Sequence, residues 1–321
     1  MRRVLIPGTK TSTSVLGFGT SALVGGRTTR EALRLLETAF DSGIRHFDVA
    51  RVYGTGDAES MLGRFAAGRR SELTIASKFG IDPMTGTAMA NLAKRLVRIG
   101  TRRSPALLRF LRRHSGKAVQ RGTFTPEKAR SSLETSLREL GTAYLDIYLL
   151  HECTAQDWQQ ADLHQTLADL VSEERICCYG TATSLSETAA IFERPYPYPR
   201  VAQFESDLLS PDESADVQGK ALAVTHGCFR RTLSAVRQFL ARDQLAATEW
   251  TRALDVDVTS AEEISGLLLC EALRSNPDGI VLFSSANPRN IERNARLASE
   301  PPYESAQLAE FARRVRDALR R

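Results

Sequence analysis

Short apolar runs recur along the chain and are separated by stretches long enough to hold helices. Eight runs have the length of buried strands, and they lie near residues 15–20, 44–48, 73–78, 145–150, 176–181, 201–205, 221–225 and 279–284. An alternation of single strands with helices is typical of a parallel sheet. The pattern therefore predicts an α/β fold in which eight strands close into a (β/α)8 TIM barrel.

Several helix ends are marked by residues that cap or break helices. Thr28 and Glu31 have the spacing of a capping box, and Gly43 closes the same helix before the second strand. Thr125 followed by Pro126 places a capping hydroxyl before a proline at the first helical position. These features fix boundaries of the barrel helices and carry no chemistry of their own.

The two ends of the chain have patterns of their own. Residues 2–16 contain two β-prone runs around the turn residues 7–10, which predicts a hairpin. Residues 305–320 carry apolar side chains at helical spacing, which predicts a packed terminal helix with Leu308, Phe311, Val315 and Leu319 on one face.

Composition narrows the class of protein. With 42% hydrophobic and 25% charged residues over 321 positions, the chain is typical of a globular protein. No apolar run approaches the roughly 20 residues of a membrane span, and residues 1–6 are too short for a signal peptide. The five cysteines have no metal-site spacing. We therefore expect a cytoplasmic protein with reduced thiols, no membrane span and no metal.

Four groups of complementary chemistry follow three successive predicted strands. Asp48 and Tyr53 follow the second strand, Lys78 ends the third, and His151 ends the fourth. Barrel enzymes carry their reactive groups at these carboxyl ends. We therefore predict that Asp48, Tyr53, Lys78 and His151 form one catalytic site.

The four side chains together would make a proton donor. A tyrosine hydroxyl with a pKa of about 10 is a weak acid at neutral pH, and a nearby ammonium such as that of Lys78 lowers this value. Asp48 can hold Lys78 in its charged form, and His151 can orient a substrate oxygen. A proton donor aimed at a carbonyl oxygen is what hydride reduction of an aldehyde or ketone requires.

The motifs around these residues resemble a known signature. Residues 45–63 read RHFDVARVYGTGDAESMLG, and the segments 17–20, 77–80 and 149–152 fall in matching order around them. This pattern resembles the aldo-keto reductase superfamily, in a divergent bacterial-type form. Glu59 stands where a dinucleotide fingerprint starting at Gly54 would need its third glycine, so no Rossmann motif is present.

The resemblance implies a fold and an activity. It implies a single barrel over residues 1–321, with the N-terminal hairpin closing its bottom. It also implies an NAD(P)H-dependent oxidoreductase that reduces a small aldehyde or ketone to an alcohol, or catalyses the reverse, with Tyr53 as general acid and base.

The resemblance also implies a set of cofactor contacts. At the nicotinamide end it implies Gln203 for the carboxamide, while Ala182 and Thr183 replace the usual Ser-Asn pair. His226 stands where an aromatic usually stacks on the ring, and an ordinary loop residue is the alternative for it. Asn287 and Pro288 begin a helix whose N-terminus would attract phosphate. The remaining implied contacts lie after the first and last strands: Gly19, Thr20, Ser284, Ser285, Asn290 and Asn294.

The adenosine end departs from the family in a way that bears on cofactor choice. Many members have a Lys or a Gly-Ser pair where this chain has Ser284 and Ser285, and an Arg where it has Asn290. Arg289 and Arg293 lie close by. A 2′-phosphate is best bound by arginine. NADP(H) is the first expectation for the cofactor and NAD(H) remains possible.

A basic insertion, residues 81–124, follows the third strand. It contains no acid between Asp82 and Glu127, so its positive charge is local and the rest of the chain is net acidic. Its cations are Lys94, Arg95, Arg98, Arg102, Arg103, Arg109, Arg112, Arg113, Lys117 and Arg121. The insertion is predicted to be a substrate lid or a solvated segment. The alternative is a patch that binds anionic lipid or nucleic acid. Of these, no nucleic acid partner is expected, and the partner of residues 90–121 is left unassigned.

Two other function classes stay open from the sequence. One is an NADP-binding regulatory subunit on the same barrel with little turnover, which docks through the basic insertion. The other is a Schiff-base aldolase that uses Lys78 as nucleophile, although pairing with Asp48 would keep that lysine protonated.

Overall fold

The computed structural model describes residues 1–23, 28–83, 122–194, 197–210, 217 and 219–319. Within these ranges the strands are β1 Arg3–Leu5, β2 Ser12–Ser14, β3 Leu16–Gly19, β4 His46–Asp48, β5 Thr74–Phe79, β6 Leu145–His151, β7 Ile176–Ala182, β8 Val201–Glu205, β9 Leu222–His226 and β10 Ile280–Phe283. Most of the basic insertion, residues 84–121, lies outside the described residues, so the lid prediction stays a prediction.

Helices separate most of the strands. In the described ranges they are α1 Thr29–Asp41, α2 Ala58–Ala66, α3 Pro126–Leu140, α4 Ala155–Trp158, α5 Ala161–Ser172, α6 Leu185–Phe192, α7 Thr232–Arg242, α8 Gln244–Leu254, α9 Ala261–Ser275, α10 Pro288–Ser299 and α11 Ser305–Leu319. The apolar faces of these helices pack on the outside of the sheet in one continuous hydrophobic core. None of the helices in the described ranges combines the length and apolar character that a membrane crossing needs.

The strands β3 to β10 form one closed parallel barrel in chain order, with β10 pairing back onto β3. The predicted (β/α)8 TIM barrel is confirmed. All eight predicted strands are present, with ends within two residues of those expected from the apolar runs.

The helix ends also follow the sequence signals. Thr28 and Glu31 form the capping box at the start of α1, and Gly43 has a positive φ of 89° just after that helix. Thr125 caps α3 by accepting from the Lys128 N–H. Because a cap involves only residues within one helical turn, these helix ends could be predicted from neighbouring residues.

The N-terminal hairpin closes the bottom of the barrel, as the resemblance implied. Strands β1 and β2 pair antiparallel. Ile6, in their turn, is fully buried in the apolar cluster inside the barrel. The Thr13 and Thr74 hydroxyl oxygens lie 2.6 Å apart and join the hairpin to β5. The bottom is therefore plugged, and the open end is the one at the carboxyl ends of the strands.

Close packing between barrel strands requires one particular glycine. A Cβ atom at Gly180 on β7 would collide with the backbone of Val201 on β8. The middle of the barrel is filled by apolar side chains such as Ile147, Leu149 and Leu282. These buried side chains support the site at the carboxyl ends of the strands from below.

Candidate active site

The four predicted catalytic residues meet at the carboxyl end of the barrel. Asp48 is the last residue of β4, Lys78 lies near the end of β5, and His151 is the last residue of β6. Tyr53 begins a short 3-10 helix, residues 53–56, in the loop after β4. Strand alternation explains the grouping, because inward-facing positions recur every second residue and the neighbouring strands are in register.

Asp48 and Lys78 form a buried ion pair. The Lys78 Nζ lies 2.7 Å from one Asp48 carboxylate oxygen and 2.8 Å from the other, and it also donates to the Val49 carbonyl oxygen at 3.1 Å. Burial by itself would lower the pKa of Lys78, but the Asp48 carboxylate and the Tyr53 hydroxyl outweigh it and raise the pKa above its ordinary value. Lys78 is therefore held as an ammonium, and the predicted pairing is confirmed.

Tyr53 lies next to that ammonium. Its hydroxyl oxygen is 3.5 Å from the Lys78 Nζ. Burial of the hydroxyl raises the pKa of Tyr53 above its ordinary value, while the Lys78 ammonium lowers it and the Asp48 carboxylate raises it. Lys78 thus acts on the Tyr53 pKa in the predicted direction, and the loss of water around the phenol outweighs its effect. The protonated phenol is the form present at neutral pH.

His151 contacts the same tyrosine. The two rings meet edge to face, with centroids 6.0 Å apart and planes at 86°. Burial lowers the pKa of His151 to about 3, and the Lys78 ammonium acts in the same direction. His151 is therefore a neutral imidazole, which can donate one hydrogen bond and accept another.

A cleft with a volume of about 500 Å³ opens beside these groups. The described residues that line it are Gly19, Ser21, Asp48, Tyr53, Gln203, His226, Gly227, Cys228, Phe229, Arg230, Leu282, Phe283 and Ser284. Several of these lining residues were not predicted from the sequence: Ser21, Leu282, Phe283 and residues 227–230. Their place at or just after the ends of β3, β9 and β10 is the signal that could have identified them.

The predicted nicotinamide contacts are only partly gathered in this cleft. Gln203 and His226 line it, and the Gln203 Oε1 is buried without a hydrogen-bond partner among the described residues. Ala182 and Thr183 are buried, and the Thr183 hydroxyl donates to the Cys153 carbonyl oxygen at 2.6 Å. The bare Gln203 oxygen is a suitable acceptor for a carboxamide N–H. Burial lowers the pKa of His226, which leaves its ring uncharged.

Of the cofactor contacts predicted near the first and last strands, some line the cleft and others do not. Gly19 and Ser284 line the cleft, where the Ser284 hydroxyl donates to the Gly19 carbonyl oxygen at 2.7 Å. The Thr20 hydroxyl donates to the Asp48 carbonyl oxygen at 3.0 Å. The Ser285 hydroxyl accepts from the Asn287 N–H at 3.1 Å at the start of α10.

The start of α10 is capped as the sequence predicted. Asn287 accepts from the Arg289 N–H, with Pro288 at the first helical position. Asn290 is exposed and Asn294 is buried on the same helix. This helix N-terminus, together with Gln203 in the cleft, suits the phosphate and carboxamide groups of a nicotinamide dinucleotide.

One of the two nearby arginines is engaged elsewhere. The Arg293 guanidinium lies 2.9 Å from a Glu262 carboxylate oxygen and donates to the Ser265 hydroxyl at 3.0 Å. It therefore ties α10 to α9. Arg289 is exposed, so it is the better placed of the two for binding an anion.

Comparison with known proteins finds a matching family and partly similar relatives. Residues 15–221 match the aldo/keto reductase family. An aryl-alcohol dehydrogenase of Pestalotiopsis microspora is 24% identical over 190 residues, 56% of this chain and 41% of that protein. A D-threo-aldose 1-dehydrogenase of Pseudomonas sp is 32% identical over 130 residues, 40% of this chain and 35% of that protein. The chain thus matches less than half the length of these relatives.

Solved structures show the same fold at low sequence identity. A glycerol dehydrogenase of Gluconobacter oxydans superposes with a TM-score of 0.71 at 17% identity, covering 99% of this chain and 96% of that one. The holo form of an aldo-keto reductase of Bacillus halodurans superposes with a TM-score of 0.69 at 17% identity, covering 98% and 96%. Since the family match spans well over half of the sequence, this chain belongs to the aldo/keto reductase family.

Proposed function

We propose that the protein is an NAD(P)-dependent oxidoreductase that interconverts a carbonyl compound and an alcohol. The observation that carries this proposal is the Tyr53 hydroxyl held 3.5 Å from a buried ammonium, which is itself paired with Asp48. A phenol in that position can give up a proton, because the ammonium stabilises the tyrosinate that remains.

Each side chain has a distinct role in the proposed reduction. Tyr53 donates a proton to the carbonyl oxygen, and in the reverse direction its phenolate accepts the proton of the alcohol. Lys78 stabilises the phenolate, and Asp48 keeps Lys78 charged and fixed. The neutral His151 donates a hydrogen bond that orients and polarises the substrate oxygen. A nicotinamide cofactor, when bound, would supply the hydride to the carbonyl carbon or accept it from the alcohol.

The cofactor contacts follow from the same cleft. Gln203 would accept from the carboxamide, His226 would lie against the ring, and the region from Ser284 to the start of α10 would hold the phosphates. NADP(H) is the first choice. Because Arg293 is paired with Glu262, binding of the 2′-phosphate of NADP(H) would depend mainly on Arg289. NAD(H) is the second choice.

The relatives suggest which substrates to try first. The names of these proteins refer to an aryl alcohol, an aldose and glycerol, all of which contain the alcohol or carbonyl group that the proposed chemistry needs. We propose a small uncharged aldehyde, ketone or polyol as substrate. Aryl aldehydes, aldoses and glycerol form the starting panel.

Fluorescence titration with NADPH and NADH separately, followed by the absorbance change of the nicotinamide with this panel, tests the proposal. Binding with turnover is expected. Failure of both NADPH and NADH to bind would refute the proposal. Tight binding without turnover of any carbonyl would favour the regulatory subunit.

A Tyr53→Phe variant tests the assigned proton donor. We expect turnover to fall by about 10²–10⁴, while the cofactor Kd changes by less than about twofold. Loss of cofactor binding instead would contradict the role given to Tyr53. The Schiff-base alternative is disfavoured by the paired, charged state of Lys78, and borohydride trapping of a substrate on Lys78 would revive it.

A further inference from the structure

Glu152 occupies an unusual backbone position directly after His151. Its φ is 57°, in the left-handed region that side chains other than glycine rarely adopt. Its N–H donates to the Ala182 carbonyl oxygen at 2.7 Å, so the backbone stays fixed to β7 where the strand pairing ends. The backbone that bears this carboxylate is thereby fixed at the carboxyl end of β7, directly after His151.

The charge of Glu152 is not neutralised by an ion pair in the part of the chain that the structure describes. Asp48 and Lys78 neutralise each other. The cations of two neighbouring loops are also engaged, since Arg51 lies 3.9 Å from an Asp82 carboxylate oxygen and Arg230 lies 2.7 Å from one of Glu205. Asp82 also pairs with Lys128. Among these carboxylates, Glu152 is therefore the one without an ion-pair partner in the described ranges.

That charge reaches the groups proposed to react. Burial is the largest influence that raises the pKa of Tyr53, and the Glu152 carboxylate adds to it. Glu152 is exposed at the surface, yet enough protein surrounds its carboxyl for burial to raise its pKa, with the Lys78 ammonium opposing. When the substrate oxygen contacts Tyr53 and His151, the rest of the substrate would lie close enough for the charge of Glu152 to act on it.

We infer that Glu152 selects substrates by charge, disfavouring carbonyl compounds that carry an anionic substituent and favouring uncharged or cationic ones. The inference rests on the proposed function and names the substrate class of that same site. Its physical basis is repulsion between two carboxylates in a partly dehydrated cleft, weakened by the solvent that still reaches Glu152.

The chain offers a matched control for the test. Glu174 is also exposed and also has a left-handed φ, of 56°, but it precedes β7 and so lies at the opposite end of the barrel. The measured quantity is kcat/KM for 4-carboxybenzaldehyde divided by kcat/KM for benzaldehyde. We expect Glu152→Gln to raise this ratio about three- to tenfold at low salt, and Glu174→Gln to leave it unchanged.

Two further readouts separate a charge effect from a packing effect. In Glu152→Gln the alkaline limb of the pH–rate profile should move to lower pH, because a negative charge near Tyr53 is removed. The difference between the wild type and Glu152→Gln should also shrink at high salt. An equal change for both aldehydes, or the same ratio change in Glu174→Gln, would overturn the inference.

Binding measurements keep the inference testable if turnover is slow. Titrating the two aldehydes into the protein–cofactor complex should show the same change in their affinity ratio. If dinucleotides bind and the ratio does not respond to Glu152→Gln, the charge selection fails while the proposed function stands. If no dinucleotide binds, the proposed function itself fails.

Discussion

Replacing His46 with glutamine tests how one buried imidazole couples the stability of the barrel to pH. His46 is fully buried on β4, two residues before Asp48. Its Nδ1 lies 3.1 Å from the Thr74 hydroxyl oxygen, and its Nε2 has no hydrogen-bond partner among the described residues. The neutral ring with its proton on Nδ1 leaves only a lone pair unsatisfied, whereas protonation would place a charged N–H in an apolar interior.

The magnitude follows from the displaced titration. Burial lowers the pKa of His46 from 6.5 to about 4, with the Asp48 carboxylate opposing and the Lys78 ammonium adding to the effect. At about 1.36 kcal/mol per pKa unit, this lowering corresponds to about 3 kcal/mol. Between these two pH values the unfolded chain binds a proton that the folded chain does not. The stabilisation is therefore complete above pH 6.5 and is lost as the pH falls towards about 4.

Urea unfolding measured from about pH 7.5 down to about pH 4.5 reports this difference as a slope. The wild type should lose about 2 to 3 kcal/mol more than His46→Gln across that range, whatever the offset between the two proteins at neutral pH. Parallel curves for the two proteins would refute the reasoning, because they would mean that His46 takes up a proton equally in both states.

Three other substitutions test the packing and charges described above. Lys78→Met should cost about 3–5 kcal/mol in urea unfolding because it leaves Asp48 buried and unpaired, and adding Asp48→Asn should recover part of that loss; an additive double variant would contradict the pairing. Gly180→Ala should lower the free energy of unfolding by about 1–3 kcal/mol or more, because the added methyl group meets the Val201 backbone. An unchanged unfolding midpoint would contradict this packing argument. Arg289→Ala should weaken NADPH binding by about 5–10-fold in fluorescence titrations and leave NADH nearly unaffected; an equal effect on both would mean that Arg289 does not contact a 2′-phosphate.

The ion pair at the centre of the site was predictable because it depends on strand ends. Asp48 and Lys78 follow apolar runs whose lengths fix where each strand stops, and parallel strands place their carboxyl ends together. The Tyr53 pKa was not predictable in the same way. Its direction depends on how much water the surrounding protein removes from the phenol, and that sum includes atoms from several distant segments.

The cofactor region shows the same division. The N-cap at Asn287 and the following proline were readable from adjacent residues. The partner of Arg293 was not, because Glu262 lies on another helix and the sequence does not show which faces of α9 and α10 meet. The cleft position of Cys228 and Arg230 likewise depends on the path of the loop after β9.

The sequence by itself determined the order of strands and helices, the capped helix ends and the four groups that meet at the rim, because burial periodicity and capping act over a few residues. Only the tertiary structure decided the charge balance of the site. It placed Glu152 in a left-handed conformation directly after His151, engaged Arg293 with Glu262 and raised the pKa of Tyr53. These outcomes depend on distances and burial between segments far apart in the chain, which no local pattern records.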